Sequence, residues 1–124
     1  MKILIADDEN EVVKTLQGIL EKGGGFETDF ARDGVEALSK VKNDLYDVLL
    51  LDIMMPKLNG YQVLQEVRKI LPTMPIIFIT AHGESKKIEE SIRVHNLTGV
   101  IEKPFTPKEV LEIVNKAVTV KKVE

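Results

Sequence analysis

The 124-residue chain has no cysteine and no tryptophan, and its benzene-type rings are two tyrosines and four phenylalanines. Without cysteine there is no disulfide framework, no thiolate metal site and no cysteine nucleophile, which agrees with a reducing cytoplasm. No apolar run approaches the length of a membrane span. The N-terminus, MKILIADDENE, turns acidic after a few residues and so does not read as a signal peptide. Charge of one sign is also missing: 17 basic against 20 acidic side chains give a net charge of -3. The lysines are scattered, so no basic stripe suggests direct contact with nucleic acid. A cytoplasmic single domain, large enough to bury its own core, is expected.

What is present is concentrated in Val48 to Gly60, VLLLDIMMPKLNG. Val48 to Leu51 is an uninterrupted apolar run, the mark of a strand covered on both faces. Asp52 ends it. Pro56 and Asn59-Gly60 turn the chain out of the sheet within a few residues. A buried strand thus delivers one carboxylate to a loop, where open α/β sheets bind ligands.

The same alternation recurs along the chain. Lys2 to Ala6 is a short apolar strand that stops at Asp7-Asp8-Glu9. Val12, Val13, Leu16, Ile19 and Leu20 follow at helical spacing, and Gly23 to Gly25 ends that helix. Phe26 to Ala31 is the second strand. Asp33, with Glu36 three residues on, caps a second helix whose inner stripe is expected to be Val35, Leu38 and Val41. Tyr61, Val63, Leu64, Val67, Ile70 and Leu71 mark a third helix that stops before Pro72. Ile76 to Ile79 is the fourth strand and ends at Thr80. Glu84 to His95 is the weakest helix, with Ile88, Ile92 and His95 on its apolar face, and is expected to be the most mobile element. Gly99 to Ile101 begins a fifth strand that runs to Glu102-Lys103. Thr106-Pro107-Lys108-Glu109 then combines an N-cap, a first-turn proline and a capping-box acid. The last helix is expected to end near Thr119, giving a domain over 1–119, a tail over 120–124, and a protein that acts alone.

Five such alternations with short connections predict a (βα)5 α/β domain: one parallel five-stranded sheet, doubly wound with helices on both faces. A parallel sheet brings all carboxyl ends to one edge. There the sequence places Asp7-Asp8-Glu9, Asp52, Thr80 and Lys103. Two carboxylates ~4 Å apart repel by about 4 kcal/mol at an effective dielectric of 20, and a bound cation removes that cost. Oxygen donors suit Mg²⁺, which also seeks phosphate oxygens. A phosphoryl group on Asp52 would fit, with Asp52 as nucleophile and Thr80 and Lys103 as donors to its oxygens.

On these marks the chain resembles the CheY-like receiver domains of bacterial two-component response regulators. They are Asp7-Asp8 after strand one, DIMMPKLNG around Asp52, Thr80-Ala81 after strand four and Lys103-Pro104-Phe105 after strand five. The resemblance covers nearly the whole chain and implies the flavodoxin-like strand order 2-1-3-4-5. It also implies that Asp52 accepts a phosphoryl group from a sensor histidine kinase or histidine phosphotransfer protein. Asp7, Asp8, Asp52 and the backbone carbonyl of Met54 would hold Mg²⁺, while Thr80 and Lys103 bind phosphoryl oxygens. The output implied is a phosphorylation-dependent contact with a downstream protein, from a monomer that does no other enzymatic work.

Two features depart from the commonest pattern. Val100 stands where many receivers carry an aromatic ring in strand five, so it is expected to be passive packing. Met54 and His82 occupy the variable positions that flank the site. Two other readings compete. A flavodoxin-like mononucleotide module would need a Ser/Thr/Gly-rich phosphate loop where this chain has DDENE. An aspartyl-phosphate phosphohydrolase would carry a second aspartate two residues after its nucleophile, where this chain has Met54.

Overall fold

Each apolar run becomes one strand of a single sheet: β1 (Lys2–Ala6), β2 (Glu27–Ala31), β3 (Val48–Asp52), β4 (Ile76–Thr80) and β5 (Gly99–Glu102). Between and after them lie α1 (Asn10–Gly18), α2 (Gly34–Asn43), α3 (Gly60–Ile70), α4 (Ser85–His95) and α5 (Pro107–Val123). The computed structural model describes residues 1–81 and 85–123, without the side chains of 85 and 120–123. Glu84, where the pattern begins the fourth helix, and His82 and Gly83 in the loop before it lie outside the described residues, as does Glu124. The strands pair in parallel in the order β2-β1-β3-β4-β5, as expected.

Alternate residues of each strand serve opposite faces. Leu4, Leu49, Leu51, Ile76 and Phe78 pack beneath α2 and α3 with Val41, Val63, Leu64 and Val67. Ile3, Ile5, Leu50, Ile77 and Ile79 pack beneath α1 and α5 with Leu16, Leu20, Val110 and Val114. Every residue of β3 and β4 is buried, which is why these strands read as continuous apolar runs rather than as alternation.

Helix ends follow their caps. Asp33 Oδ1 accepts the Glu36 N–H at 2.8 Å, and Glu109 N–H donates to Thr106 Oγ1 at 3.2 Å. Asn59 and Gln62 form a reciprocal capping box at α3 that the turn signal of Asn59-Gly60 had masked. α1 runs on into a π-helical turn, Ile19–Gly23, and the chain then reverses at Gly25, whose φ of +69° suits glycine. α5 extends to Val123, past Thr119.

Several inner-stripe assignments need correction. Val35 is half exposed, whereas Val41 is buried as expected and Leu38 packs partly buried against the core, with Gly34 and Ala37 completing the inner side of α2. The cause is a close approach: a Cβ on Gly34 would lie 2.1 Å from the Leu58 carbonyl oxygen, so the helix enters the core at Gly34 and turns Val35 outward. Ile70 and Leu71, at the C-terminal end of α3, are also exposed. On α4 the inward side is Ile88, Ser91 and His95, an i, i+3, i+7 stripe, and Ile92 faces solvent. Buried Ser91 donates its hydroxyl to the Lys87 carbonyl at 2.8 Å.

α4 is tied to α3 at its C-terminal end. The half-buried Arg68 guanidinium donates to the carbonyls of His95 (2.6 Å), Asn96 (3.0 Å) and Leu71 (3.0 Å). These are carbonyls that a helix terminus leaves without intrahelical partners. Asn96, with φ +53°, reverses the chain there.

Candidate functional site

The carboxyl edge of the sheet gathers the residues singled out in the sequence. Asp7 is fully buried, Asp52 and Thr80 nearly so, while Asp8 and Glu9 are exposed. One carboxylate oxygen from each of Asp7, Asp8, Glu9 and Asp52 lies within 4.8 Å of the others. Glu9 belongs to this cluster although the expected ligand set leaves it out; the run of three consecutive acids was the available signal.

Local backbone contacts fix each carboxylate. The Asp7 N–H donates to the Ala31 carbonyl at 3.0 Å, extending the sheet by one bond, and the Glu9 N–H donates to Asp7 Oδ1 at 2.9 Å. The Met54 N–H reaches Asp52 Oδ1 at 3.3 Å, and Met54 is 73% exposed. α3 begins directly against the end of β3: a Cβ on Gly60 would lie 2.7 Å from the Asp52 carbonyl oxygen. The Gly60 N–H donates to the Ile53 carbonyl at 2.8 Å. Glycine at 60 therefore sets the depth at which Asp52 sits.

Lys103 approaches from β5, where its N–H bonds the Thr80 carbonyl at 2.8 Å. Its Nζ lies 3.3 Å from Asp7 Oδ2 and 3.2 Å from Glu9 Oε1. Among the described residues, Asp7 Oδ2 and Thr80 Oγ1 are buried and have no hydrogen-bond partner. Ala81, next along, is exposed and adds no bulk beyond a methyl group. His95 lies away from this edge, in a cleft between α3 and α4 with Tyr61 and Ser91.

The electrostatics follow from the crowding. Burial, reinforced by the charge of Asp7, pushes the Asp52 carboxyl from its ordinary 3.8 up to about 7, against the opposing pull of Lys103. Burial also raises Asp7, although the Glu9 N–H and Lys103 favour its charged form. For Lys103, burial disfavours charge, but Asp52, Asp7 and Glu9 outweigh it and raise its pKa. The cluster carries more negative charge than one ammonium can balance. Its oxygen-only donors, among them the buried Asp7 Oδ2 that accepts no hydrogen bond among the described residues, are suited to a hard divalent cation.

Val100 pairs in register with Phe78 and is only partly buried at the sheet's edge. An aromatic ring does pack on that face, but it comes from α3: Tyr61 meets Phe78 edge to face at 5.4 Å.

Comparison with known proteins identifies the family. The sequence pattern of the response regulator receiver domain matches residues 3–115. The chain is 38% identical over 111 residues to a transcriptional regulatory protein CpxR homolog of Haemophilus influenzae, covering 89% of this chain and 47% of that one. It is 34% identical over 121 residues to the response regulator SaeR of Staphylococcus aureus, covering 94% of this chain and 50% of that one. The chain thus spans about half the length of the curated relatives it matches. A CheY-like receiver domain protein of Methanospirillum hungatei superposes with a TM-score of 0.91 at 27% identity, covering 98% of this chain and 95% of that one. With the acid cluster, Thr80 and Lys103 at one edge of a 2-1-3-4-5 sheet, the chain belongs to the receiver domains of two-component response regulators.

Proposed function

We propose that this domain accepts a phosphoryl group on Asp52 from a phosphohistidine of a sensor histidine kinase or a histidine phosphotransfer protein, and signals through protein contacts that depend on that modification. The observation that carries this reading is a nearly buried carboxylate, Asp52, at the end of the central strand, sharing its cluster with Asp7, Asp8 and Glu9.

Asp7, Asp8, Asp52 and the Met54 carbonyl would hold Mg²⁺. Bound there, Mg²⁺ would supply the positive charge that keeps Asp52 ionised and shields phosphoryl oxygens. In the transfer, an Asp52 carboxylate oxygen forms the new bond to phosphorus as the bond from phosphorus to the histidine nitrogen breaks. The nitrogen leaves with the electron pair. The Thr80 hydroxyl, buried and without a partner among the described residues, is a donor in waiting for a phosphoryl oxygen. The Lys103 ammonium is a second donor, carried on the neighbouring strand.

The test is intact-mass measurement after incubation with acetyl phosphate and Mg²⁺. One phosphoryl group is expected on the wild type and none on Asp52→Asn. Equal labelling of Asp52→Asn, or labelling undiminished by EDTA, would overturn the assignment.

A further inference from the structure

Glu9 is the one acid of the cluster that the proposed chemistry leaves unused, yet among the described residues it accepts the only hydrogen bond that Lys103 Nζ donates, at 3.2 Å. The other ion-pair partner of Lys103, Asp7 Oδ2 at 3.3 Å, is buried and receives no hydrogen bond. Asp52 is not among its ion-pair partners in the described residues. Leaving a buried acceptor unmet costs more than leaving an exposed one, which water can serve. The ammonium's bond to the exposed acid is therefore explained by where the loop puts Glu9. Its N–H is held by Asp7 Oδ1 at 2.9 Å, and its carbonyl accepts the Val13 N–H at 3.1 Å, fixing the residue between β1 and α1.

We propose that Glu9 is a positioning residue that retains Lys103 on the β1 side of the site in the unmodified protein, so that a phosphoryl group on Asp52 must compete with Glu9 for the ammonium. The proposal rests on the phosphoryl chemistry above. It makes Glu9 a brake on the modified state: the stronger its hold on Lys103, the less stabilisation Lys103 gives to the phosphoryl group. Glu9 acts only through Lys103.

The test uses beryllofluoride, an acyl-phosphate mimic, titrated at saturating Mg²⁺ and followed by amide NMR. Four proteins are compared: wild type, Glu9→Gln, Lys103→Met and the double variant, each checked for folding by thermal melting. Lys103→Gln replaces Lys103→Met if the latter unfolds. Glu9→Gln is expected to bind about 1.5- to 5-fold more tightly than wild type, the scale of one partly exposed ion pair. The gain should vanish when Lys103 is absent. A charge effect exerted directly on the metal would persist in the double variant, and that result would overturn the proposal. So would an unchanged or weaker affinity in Glu9→Gln. A wild type that fails to bind beryllofluoride with Mg²⁺ would instead remove the phosphoryl chemistry itself, and this proposal with it.

Discussion

The tightest constraint on the site is a side chain that is absent. Gly60 begins α3 against the backbone of Asp52 and Ile53, and a methyl group there would sit 2.7 Å from both the Asp52 carbonyl oxygen and the Ile53 Cα. Backbone atoms cannot step aside as a flexible side chain does. Gly60→Ala should lose about 1–3 kcal/mol in urea unfolding, the usual cost of overpacking. Gly18→Ala is the control, since a Cβ there meets nothing within 4 Å. Asn59-Gly60 was legible as a turn and Asp52 as the end of an apolar run, but residue order does not show that the first residue of α3 packs back against the Asp52 and Ile53 backbone. Glu9 is a similar case: the acid run was visible, but its contact with Lys103 spans 94 positions of chain.

Among the elements, the central strands β3 and β4 were read almost to the residue because both of their faces are covered. A strand buried on both sides has no alternation to misjudge. Helices were harder, since a stripe read from periodicity alone can rotate by one position when a close approach sets the entry angle. α2 turned at Gly34, and α4 turned so that a serine, Ser91, is buried where Ile92 was expected. The difference is measurable. Ile92→Gln, at a half-exposed position, should change stability by no more than about 0.5 kcal/mol. Ile88→Ala, on the inward side, should cost about 1–2 kcal/mol, less than a fully buried truncation because Ile88 is only partly covered. The opposite ranking in chemical denaturation would restore the periodicity reading.

For the whole molecule, gathering several acids at one edge makes stability depend on pH in an unusual direction. Asp52 titrates near 7 in the metal-free folded protein and at its ordinary 3.8 when unfolded. Between those values the native state holds a proton that the unfolded state has released, so stability falls as pH rises. Its contribution is fully present below about 3.8 and is lost through about 7. Metal-free protein should therefore melt several degrees lower at pH 8 than at pH 5, and Asp52→Asn should flatten that slope. Mg²⁺ should raise the melting temperature more at pH 8, where the carboxylates are ionised and able to bind it. A slope identical in Asp52→Asn would place the dependence elsewhere.

Arg68 gives this assembly a fulcrum. Because the guanidinium grips the His95 and Asn96 carbonyls from α3, tilting α4 is cheapest about its C-terminal end. Eleven residues make an arm of about 16 Å, so a tilt of about 5° carries its far end about 1.4 Å while His95 stays in place. Displacement along such an arm grows in proportion to distance from the pivot. Lys86, one position from the N-terminal end, travels several times as far as Arg93 near the pivot. A reader of this helix is offered a graded sweep of charge, largest at its N-terminal end and smallest where the two helices are pinned.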